Sequence, residues 1–249
     1  MKKVLISGGS QGIGKQLVID FVKNGIHTIF TYRNSTEKAQ QLVKDLNAEG
    51  YNNVQMFKCD MGSETEVRKL FAENKQLLQD IDILINNAGI RDPKLNGNPK
   101  PFIMTTNDEW WYVVQNNVNS VINACREVLP NMIRLKKGRI INITSLAGIV
   151  GNPGQSAYAA SKGAITSFSK SISKEVCSFG ICINCVAPGF IETEMVKGLP
   201  EKYLEARISN SLLKRMGTTD EVSNLVMYLS LNAPMFLLNK EIVIDGGLS

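Results

Sequence analysis

The sequence contains little of what metal sites and disulfide frameworks need. His27 is the one histidine among 249 residues, and the five cysteines are odd in number and irregularly spaced, which does not indicate a disulfide framework. Cys182 and Cys185 form a CxxC pair, but there is no second pair and the histidine is distant. We therefore interpret both as buried structural thiols and expect no metal site.

Long apolar runs and concentrated charge are also missing. No run approaches the roughly 18 residues that a membrane-spanning helix needs, and the apolar stretch after Lys3 ends within three residues at Ser7, too short for a signal peptide. We expect a cytoplasmic protein with no membrane partner. The net charge of +5 is spread along the chain, which argues against a nucleic-acid partner.

No linker rich in Pro, Gly or Ser and no internal repeat divides the chain, so we predict a single domain, 1–249. Short apolar runs alternate with stretches of helical periodicity, which predicts a doubly wound α/β (Rossmann) fold with a mostly parallel seven-stranded sheet and helices on both faces. Asn34, together with Glu37, is expected to cap the second helix. The predicted strands are Val4–Ser7, Thr28–Tyr32, Val54–Cys59, Ile83–Asn86, Arg139–Ile143, Cys182–Val186 and Glu241–Ile244.

A glycine-rich turn, with Gly8, Gly12 and Gly14, directly joins the first strand to the first helix. In this arrangement free backbone N–H groups and the helix dipole bind a pyrophosphate, which predicts a dinucleotide site. The second strand ends without a carboxylate that would accept from the ribose hydroxyls of NAD. Arg33 stands there instead and can pair with a 2′-phosphate, which favours NADP(H) as the cofactor. The alternative is that Arg33 is simply solvated.

Ser145, Tyr158 and Lys162 indicate carbonyl or alcohol chemistry. A free phenol is a poor proton donor at neutral pH, but a lysine four residues later lies on the same helix face and favours the ionised phenol. A Tyr-x-x-x-Lys pair by itself is within the range of chance. Its order and spacing relative to Ser145 and the glycine turn make it specific.

Further motifs, Asn86-Asn87-Ala88-Gly89, Asn117 and Pro188-Gly189-Phe190-Ile191-Glu192-Thr193, complete a set that resembles the short-chain dehydrogenase/reductase family. Within that family the set is most similar to the β-ketoacyl carrier-protein reductases, and it covers nearly the whole chain. The resemblance implies hydride transfer from NADPH to a ketone.

The resemblance also implies roles for four catalytic residues. Tyr158 donates the proton, Ser145 donates to the carbonyl oxygen, Lys162 supports Tyr158 and bonds the nicotinamide ribose, and Asn117 holds a water of the proton relay. Asn116 is adjacent, so the alignment leaves it as the alternative, and helical periodicity is expected to turn only one of the two toward the site. Ser161, off the Tyr158 face, is expected to pack the helix.

The cofactor contacts that the resemblance implies are Gly8, Ser10, Gln11, Gly12, Ile13, Gly14, Arg33, Asp60, Met61, Asn87, Ala88, Gly89, Tyr158, Lys162, Pro188, Gly189, Ile191 and Thr193. Of these, Asp60 and Met61 would approach the adenine. Gln11 stands where many NADP-using relatives have a basic residue, so the preference for NADP rests mainly on Arg33. We expect 188–215 to form a lid and the long loop 91–101 to border the site.

The same resemblance implies two kinds of partner, an acyl carrier protein and further copies of this chain. Lys136 and Lys137 match part of the basic patch that holds an acyl carrier protein, whereas Phe179 replaces another basic residue. The long helices around 109–136 and 156–179 imply a symmetric homotetramer.

Three functional hypotheses remain. The first is an NADPH-dependent reductase of a β-ketoacyl thioester from fatty-acid or polyketide synthesis. The second is a dehydrogenase of a sugar, steroid or other small alcohol. The third, a dinucleotide-binding regulator without catalysis, is disfavoured because a sensor needs no proton donor.

Overall fold

The computed structural model describes residues 2–91, 99–197 and 201–249. Seven parallel strands form one sheet in the order β3-β2-β1-β4-β5-β6-β7. The strands are β1 (Lys3–Ser7), β2 (His27–Tyr32), β3 (Val54–Lys58), β4 (Ile83–Asn86), β5 (Gly138–Ile143), β6 (Ile181–Pro188) and β7 (Glu241–Ile244). This confirms the predicted doubly wound fold. The strand order reverses between β1 and β4, so the crevice beyond their carboxyl ends is where a doubly wound fold binds its ligand.

The helices that connect these strands cover both faces of the sheet. They are α1 (Gly12–Lys23), α2 (Thr36–Ala48), α3 (Glu64–Glu73), α4 (Lys75–Leu78), α5 (Asn107–Leu135), α6 (Ala147–Val150), α7 (Ser156–Val176), α8 (Glu194–Lys197), α9 (Glu201–Asn210) and α10 (Thr219–Leu231). Pro130 lies within α5.

The two faces of the sheet form separate apolar cores, because successive strand residues point to opposite sides. In β1, Val4 and Ile6 belong to the core covered by α1, α2 and α10, while Leu5 belongs to the core covered by α3, α5 and α7. Strands buried on both faces read as apolar runs, which is why β1, β2, β4, β5 and β6 stand out in the sequence. The edge strands β3 and β7 are only partly buried.

Two helices begin with capping boxes that the sequence analysis did not identify, and the one helix cap that it predicted is absent. Thr106 and Glu109 form a capping box at α5, and Thr218 with Glu221 forms another at α10. The predicted cap of α2 by Asn34 and Glu37 is wrong: Ser35 occupies the N-cap position, and no side chain makes a capping hydrogen bond there. Asn34 lies in the bend that follows β2, one residue too early to cap.

Cys182 and Cys185 lie buried in β6, and both thiols are free. Burial raises the pKa of Cys182 and raises that of Cys185 to about 11. Such thiols are protonated at neutral pH, which fits structural rather than reactive cysteines. Within the ranges described, no cluster of His, Cys, Asp or Glu side chains has the composition of a metal site. In the same ranges no helix combines the length and apolarity of a membrane span.

Candidate active site

A cleft of about 310 Å³ lies beyond the carboxyl ends of the strands. It brings together nearly all the residues that the sequence predicted. The lining includes Gly8, Ser10, Gln11, Gly12, Ile13, Arg33, Asp60, Met61, Asn87, Ala88, Gly89, Asn117, Ser145, Tyr158, Lys162, Pro188, Gly189, Ile191 and Thr193. Gly14 is the predicted residue that does not line it.

Gly14 does not line the cleft, but it allows the backbone behind the lining to pack closely. A Cβ on Gly14 would lie 2.1 Å from the carbonyl oxygen of Gly8 and 2.6 Å from the Asn87 amide nitrogen. Only glycine permits this close approach of the α1 backbone to the turn, and Gly8 and Gly12 adopt positive φ angles of 69° and 55° within it. The glycine pattern therefore maintains a tight turn from β1 into α1.

The amino terminus of α1 faces the cleft without a capping side chain. Gln11 occupies the N-cap position with no side-chain capping hydrogen bond, and the first turn holds no acidic residue. Open N–H groups with a helix dipole behind them suit a phosphate group. The cradle therefore fits the pyrophosphate of a dinucleotide.

Ser7 and Asn87 join this turn to the loop that follows β4. The Asn87 amide donates to the carbonyl oxygens of Ser7 and Gly8, each at 3.0 Å. The Ser7 hydroxyl accepts from the backbone N–H groups of Asn87 and Ala88, also at 3.0 Å. These bonds hold the loop Asn87-Ala88-Gly89 against the glycine turn as one wall of the cleft.

Arg33 lies inside the cleft rather than extending into bulk solvent. Its Nη1 donates to Asp60 Oδ2 at 3.3 Å and to Asn116 Oδ1 at 3.2 Å. Asp60 is also held by the backbone N–H of Gly62, at 2.9 Å. The guanidinium at the end of β2 is thus oriented toward the cleft by Asp60, which follows β3, and by Asn116 of α5.

Lys162 is buried, and its ammonium has a fixed position. Its Nζ donates to the carbonyl oxygen of Ile143 at 2.8 Å and lies 5.7 Å from the centre of the Tyr158 ring. Gly89 packs against it, since a Cβ there would lie 3.3 Å from the same Nζ. Lys162 therefore contacts the end of β5 and the loop after β4 and lies beside Tyr158.

Ser145 follows β5 and lines the cleft with Tyr158. Its Oγ accepts a hydrogen bond of 3.2 Å from the backbone N–H of Ala147. Because that bond uses a lone pair of the oxygen, the Ser145 hydroxyl hydrogen remains available to donate into the cleft. The arrangement can polarise a carbonyl oxygen and deliver a proton to it.

Asn117 is fully buried, and all its amide atoms have partners in the protein. Its Oδ1 accepts from Ile90 N–H at 2.7 Å, and its Nδ2 donates to Ile90 O and to Ser161 Oγ, each at 2.9 Å. Ser161 in turn donates to the Tyr158 carbonyl at 2.7 Å. Asn117 therefore connects the loop after β4 to α7 one residue before Lys162.

The expectation that only one of Asn116 and Asn117 faces the site is wrong, because both line the cleft. The cleft is long enough for consecutive helical residues to reach different parts of it. Asn116 meets Arg33, while Asn117 meets Ile90 and Ser161.

Arg91, the first residue of the loop that we expected to border the site, lines the cleft, although the sequence did not single it out as a site residue. Its guanidinium lies 5.4 Å from the centre of the Tyr158 ring. The sequence placed it at the start of a loop, where a charged residue is ordinarily solvated. Of the predicted long loop, 92–98 lie outside the described residues, while Lys100 donates its backbone N–H to the Gly154 carbonyl near α7, at 3.0 Å.

The segment after β6 supplies the remaining wall. Ile191 pairs with Gly217 in an isolated bridge, and a Cβ on Gly12 would lie 3.4 Å from the Thr193 methyl. Lys38 of α2 donates to Gln11 Oε1 and forms an ion pair with Glu194. The segment thus contacts α1 and α2 on the far side of the cleft; within it, 198–200 lie outside the described residues.

A protein-family model described as short chain dehydrogenase matches residues 2–204. The chain belongs to the short-chain dehydrogenase family. This confirms the resemblance inferred from the motifs, and it makes the protein an oxidoreductase that acts on a CH–OH or C=O group. The family binds a nicotinamide dinucleotide, and the glycine cradle and uncapped α1 terminus fit that cofactor.

Several described proteins align with this short-chain dehydrogenase over all or nearly all of its length. It is 36% identical over 248 residues to nodulation protein G of Rhizobium sp. (strain N33), covering 100% of this chain and 97% of the relative. It is 34% identical over 253 residues to a 3-oxoacyl-acyl-carrier-protein reductase of Chlamydia muridarum, with 100% and 97% covered. The enzyme of that description from Staphylococcus epidermidis is 30% identical over 247 residues, with 99% and 98% covered.

Solved structures agree with this family. A crystal structure of the 3-oxoacyl-acyl-carrier-protein reductase from Brucella melitensis matches with a TM-score of 0.91 at 29% identity, covering 99% of this chain and 91% of that one. A second such structure from Brucella melitensis, with bound NAD, gives a TM-score of 0.89 at 28% identity, covering 99% and 90%.

Proposed function

We propose that this short-chain dehydrogenase uses NADPH to reduce a β-ketoacyl thioester, carried by an acyl carrier protein in fatty-acid or polyketide synthesis, to the 3-hydroxyacyl form. The observation that carries the proposal is the placement of Ser145, Tyr158 and Lys162 in one cleft with the glycine turn. The relatives described as 3-oxoacyl-acyl-carrier-protein reductases support the choice of substrate.

The chain's own residues account for the proton and for the charge on oxygen. When bound, the reduced nicotinamide supplies a hydride to the carbonyl carbon. Ser145 donates a hydrogen bond to the carbonyl oxygen, and Tyr158 delivers the proton that turns this oxygen into a hydroxyl. The buried Lys162 ammonium, held by the Ile143 carbonyl, stabilises the phenolate that Tyr158 leaves. Asn117, which bonds Ile90 and Ser161, keeps α7 and the loop after β4 in register.

The choice of NADPH over NADH rests on Arg33. The β2 end carries no carboxylate at positions 32–35, and Asp60 and Asn116 hold the Arg33 guanidinium in the cleft. A fork of N–H donors suits a 2′-phosphate. Arg33→Asp should therefore lower kcat/KM for NADPH more than for NADH, because a carboxylate repels that phosphate.

The segment 188–215 is proposed to close over the substrate, and the chain to act as one domain in a cytoplasmic homotetramer. The α5 and α7 helices pack on each other, and Trp111 and Tyr112 on α5 are exposed. Aromatic side chains at an exposed helix surface suit a subunit contact. Light scattering of the purified protein should give four times the mass of one chain, which is 27.5 kDa.

The test of the function follows NADPH absorbance at a fixed enzyme concentration. Acetoacetyl thioester, free or attached to an acyl carrier protein, is compared with a panel of sugars and steroid alcohols, each with NADP(H) and NAD(H). The proposal expects turnover of the thioester with NADPH. Turnover confined to NAD and a sugar or steroid would instead support a small-alcohol dehydrogenase, and tight cofactor binding without turnover would support a regulator.

The role of Lys136 and Lys137 is tested in the same assay. These lysines follow α5, and Lys137 also pairs with Asp82 at 2.7 Å. Replacing both with glutamine should raise KM for the carrier-protein substrate and leave KM for the free thioester nearly unchanged, because rim charges act on encounter with the partner. Equal effects on both substrates would contradict a carrier-protein contact.

A further inference from the structure

Arg91 has an unusual environment for an arginine. Its Nε and Nη1 are shielded from solvent and make no hydrogen bond. None of the carboxylates in the described part of the chain forms an ion pair with it. Its guanidinium instead lies over the Tyr158 ring, 5.4 Å from the ring centre. Burying N–H donors of a charged group without acceptors is unfavourable, so a site that keeps them is suited to a ligand that supplies acceptors.

The backbone beside Arg91 is held firmly in place. Ile90 receives both a donor and an acceptor bond from the Asn117 amide, at 2.7 and 2.9 Å. Gly89 packs against Lys162 and Asn117. Arg91 therefore extends from an anchored backbone beside the proton donor, and Asn117, which anchors that backbone, also contacts Ser161 next to Lys162.

The proposed reaction supplies an acceptor close to this guanidinium. The ketone oxygen receives hydrogen bonds of about 2.7 Å from Tyr158 and Ser145, which places the reacting carbonyl at the phenol edge. In a β-ketoacyl thioester a second carbonyl oxygen lies two carbon atoms away. Simple ketones, sugars and steroid alcohols do not necessarily carry an acceptor there.

We propose that Arg91 is a substrate-binding residue that donates to the thioester carbonyl oxygen of a β-ketoacyl substrate and so selects 1,3-dicarbonyl compounds. The inference rests on the proposed function and deepens it. The cation–π contact with Tyr158 holds the guanidinium in the cleft before substrate arrives. Substrate then offers an acceptor toward which the guanidinium turns its N–H groups, since the protein provides none for Nε and Nη1.

The test compares two substrates that differ only at the second carbonyl: an acetoacetyl thioester, and a ketone of equal length with a methylene in place of the thioester carbonyl. Wild type, Arg91→Met and Arg91→Lys are assayed on both with NADPH. A hydrogen bond to a charged donor corresponds to about 10- to 150-fold in kcat/KM. Arg91→Met should lose that much on the thioester and far less on the matched ketone, and Arg91→Lys should recover part of the loss.

Each variant is compared with wild type on the same substrate, so the greater intrinsic reactivity of the thioester cancels. Arg68→Gln, at an exposed arginine of α3, serves as the control for loss of a positive charge. Equal losses on both substrates, or no loss on either, would overturn the Arg91 inference while leaving the proposed function standing. If wild type reduces only the matched ketone, the proposed function fails, and the Arg91 inference fails with it.

Discussion

Replacing Asn117 with alanine should destabilise the protein as well as impair the reaction. The side chain is fully buried and makes three hydrogen bonds, two to Ile90 and one to Ser161. At about 1 kcal/mol for each bond, the loss amounts to about 3 kcal/mol. For a chain of this size, such a loss lowers the melting temperature by about 6 to 12 °C.

The assay is thermal unfolding followed by circular dichroism, without cofactor. Asn47→Ala is the matched control, because Asn47 is exposed and lies on α2, away from the α5 and α7 helices of the proposed tetramer. That variant should melt within about 2 °C of wild type, since exposed substitutions rarely exceed about 0.5 kcal/mol. If Asn117→Ala also melts within that interval, the reasoning that Asn117 links the loop after β4 to α7 is refuted, and any loss of activity is purely chemical.

Three further predictions concern the turn, the catalytic support and the thiols. Gly14→Ala should raise the NADPH dissociation constant at least about tenfold, because its Cβ would meet the Gly8 carbonyl at 2.1 Å and the backbone must shift. Gly25→Ala is the control: its φ of 72° strains an alanine, but Gly25 does not line the cleft, so the constant should stay unchanged. Equal constants for both variants would contradict this. Glu241→Ala should lower kcat several-fold, because Glu241 accepts hydrogen bonds from Thr144 and Thr166. Thr144 precedes Ser145, and Thr166 lies one helical turn after Lys162. Glu241→Gln keeps an acceptor and should restore most of the lost kcat; if it does not, Glu241 is not a positioning residue. At pH 8, maleimide should label Cys177 alone, because Cys177 is the exposed thiol and the other four are buried. Burial raises the pKa of Cys59 and Cys125 to about 12 and that of Cys185 to about 11, and it also raises the pKa of Cys182, so these thiols stay protonated. Mass spectrometry showing two labels on the native protein would refute it.

The fold was largely predictable because its signals are local. Apolar runs such as Ile83–Asn86 are buried on both faces and therefore stand out from the amphipathic helices. The glycine turn was equally visible, since Gly8, Gly12 and Gly14 lie within seven residues. The missed cap of α2 shows the limit: Asn34 has the right chemistry, but the bend after β2 uses that position.

The sequence predicted most of the residues that line the site, but not the contacts that these residues make with one another. Arg33 is paired with Asp60 and Asn116, which are distant in sequence and meet only through the sheet and α5. Arg91 was not singled out within the loop 91–101, because nothing local distinguishes an arginine over a tyrosine ring from a solvated one. Contacts between residues far apart in sequence depend on the tertiary arrangement, which the motif spacing does not report.

Tyr158→Phe tests whether Tyr158 is the proton donor, the step on which the proposed reaction depends. The change removes one hydroxyl and keeps the ring against which Arg91 and Lys162 lie. Steady-state reduction of acetoacetyl thioester and the NADPH dissociation constant are measured together. Reduction should be abolished while NADPH binding stays nearly intact. A variant that retains more than about a tenth of the wild-type kcat would contradict the proton-donor role, because losing a general acid costs about 100-fold or more.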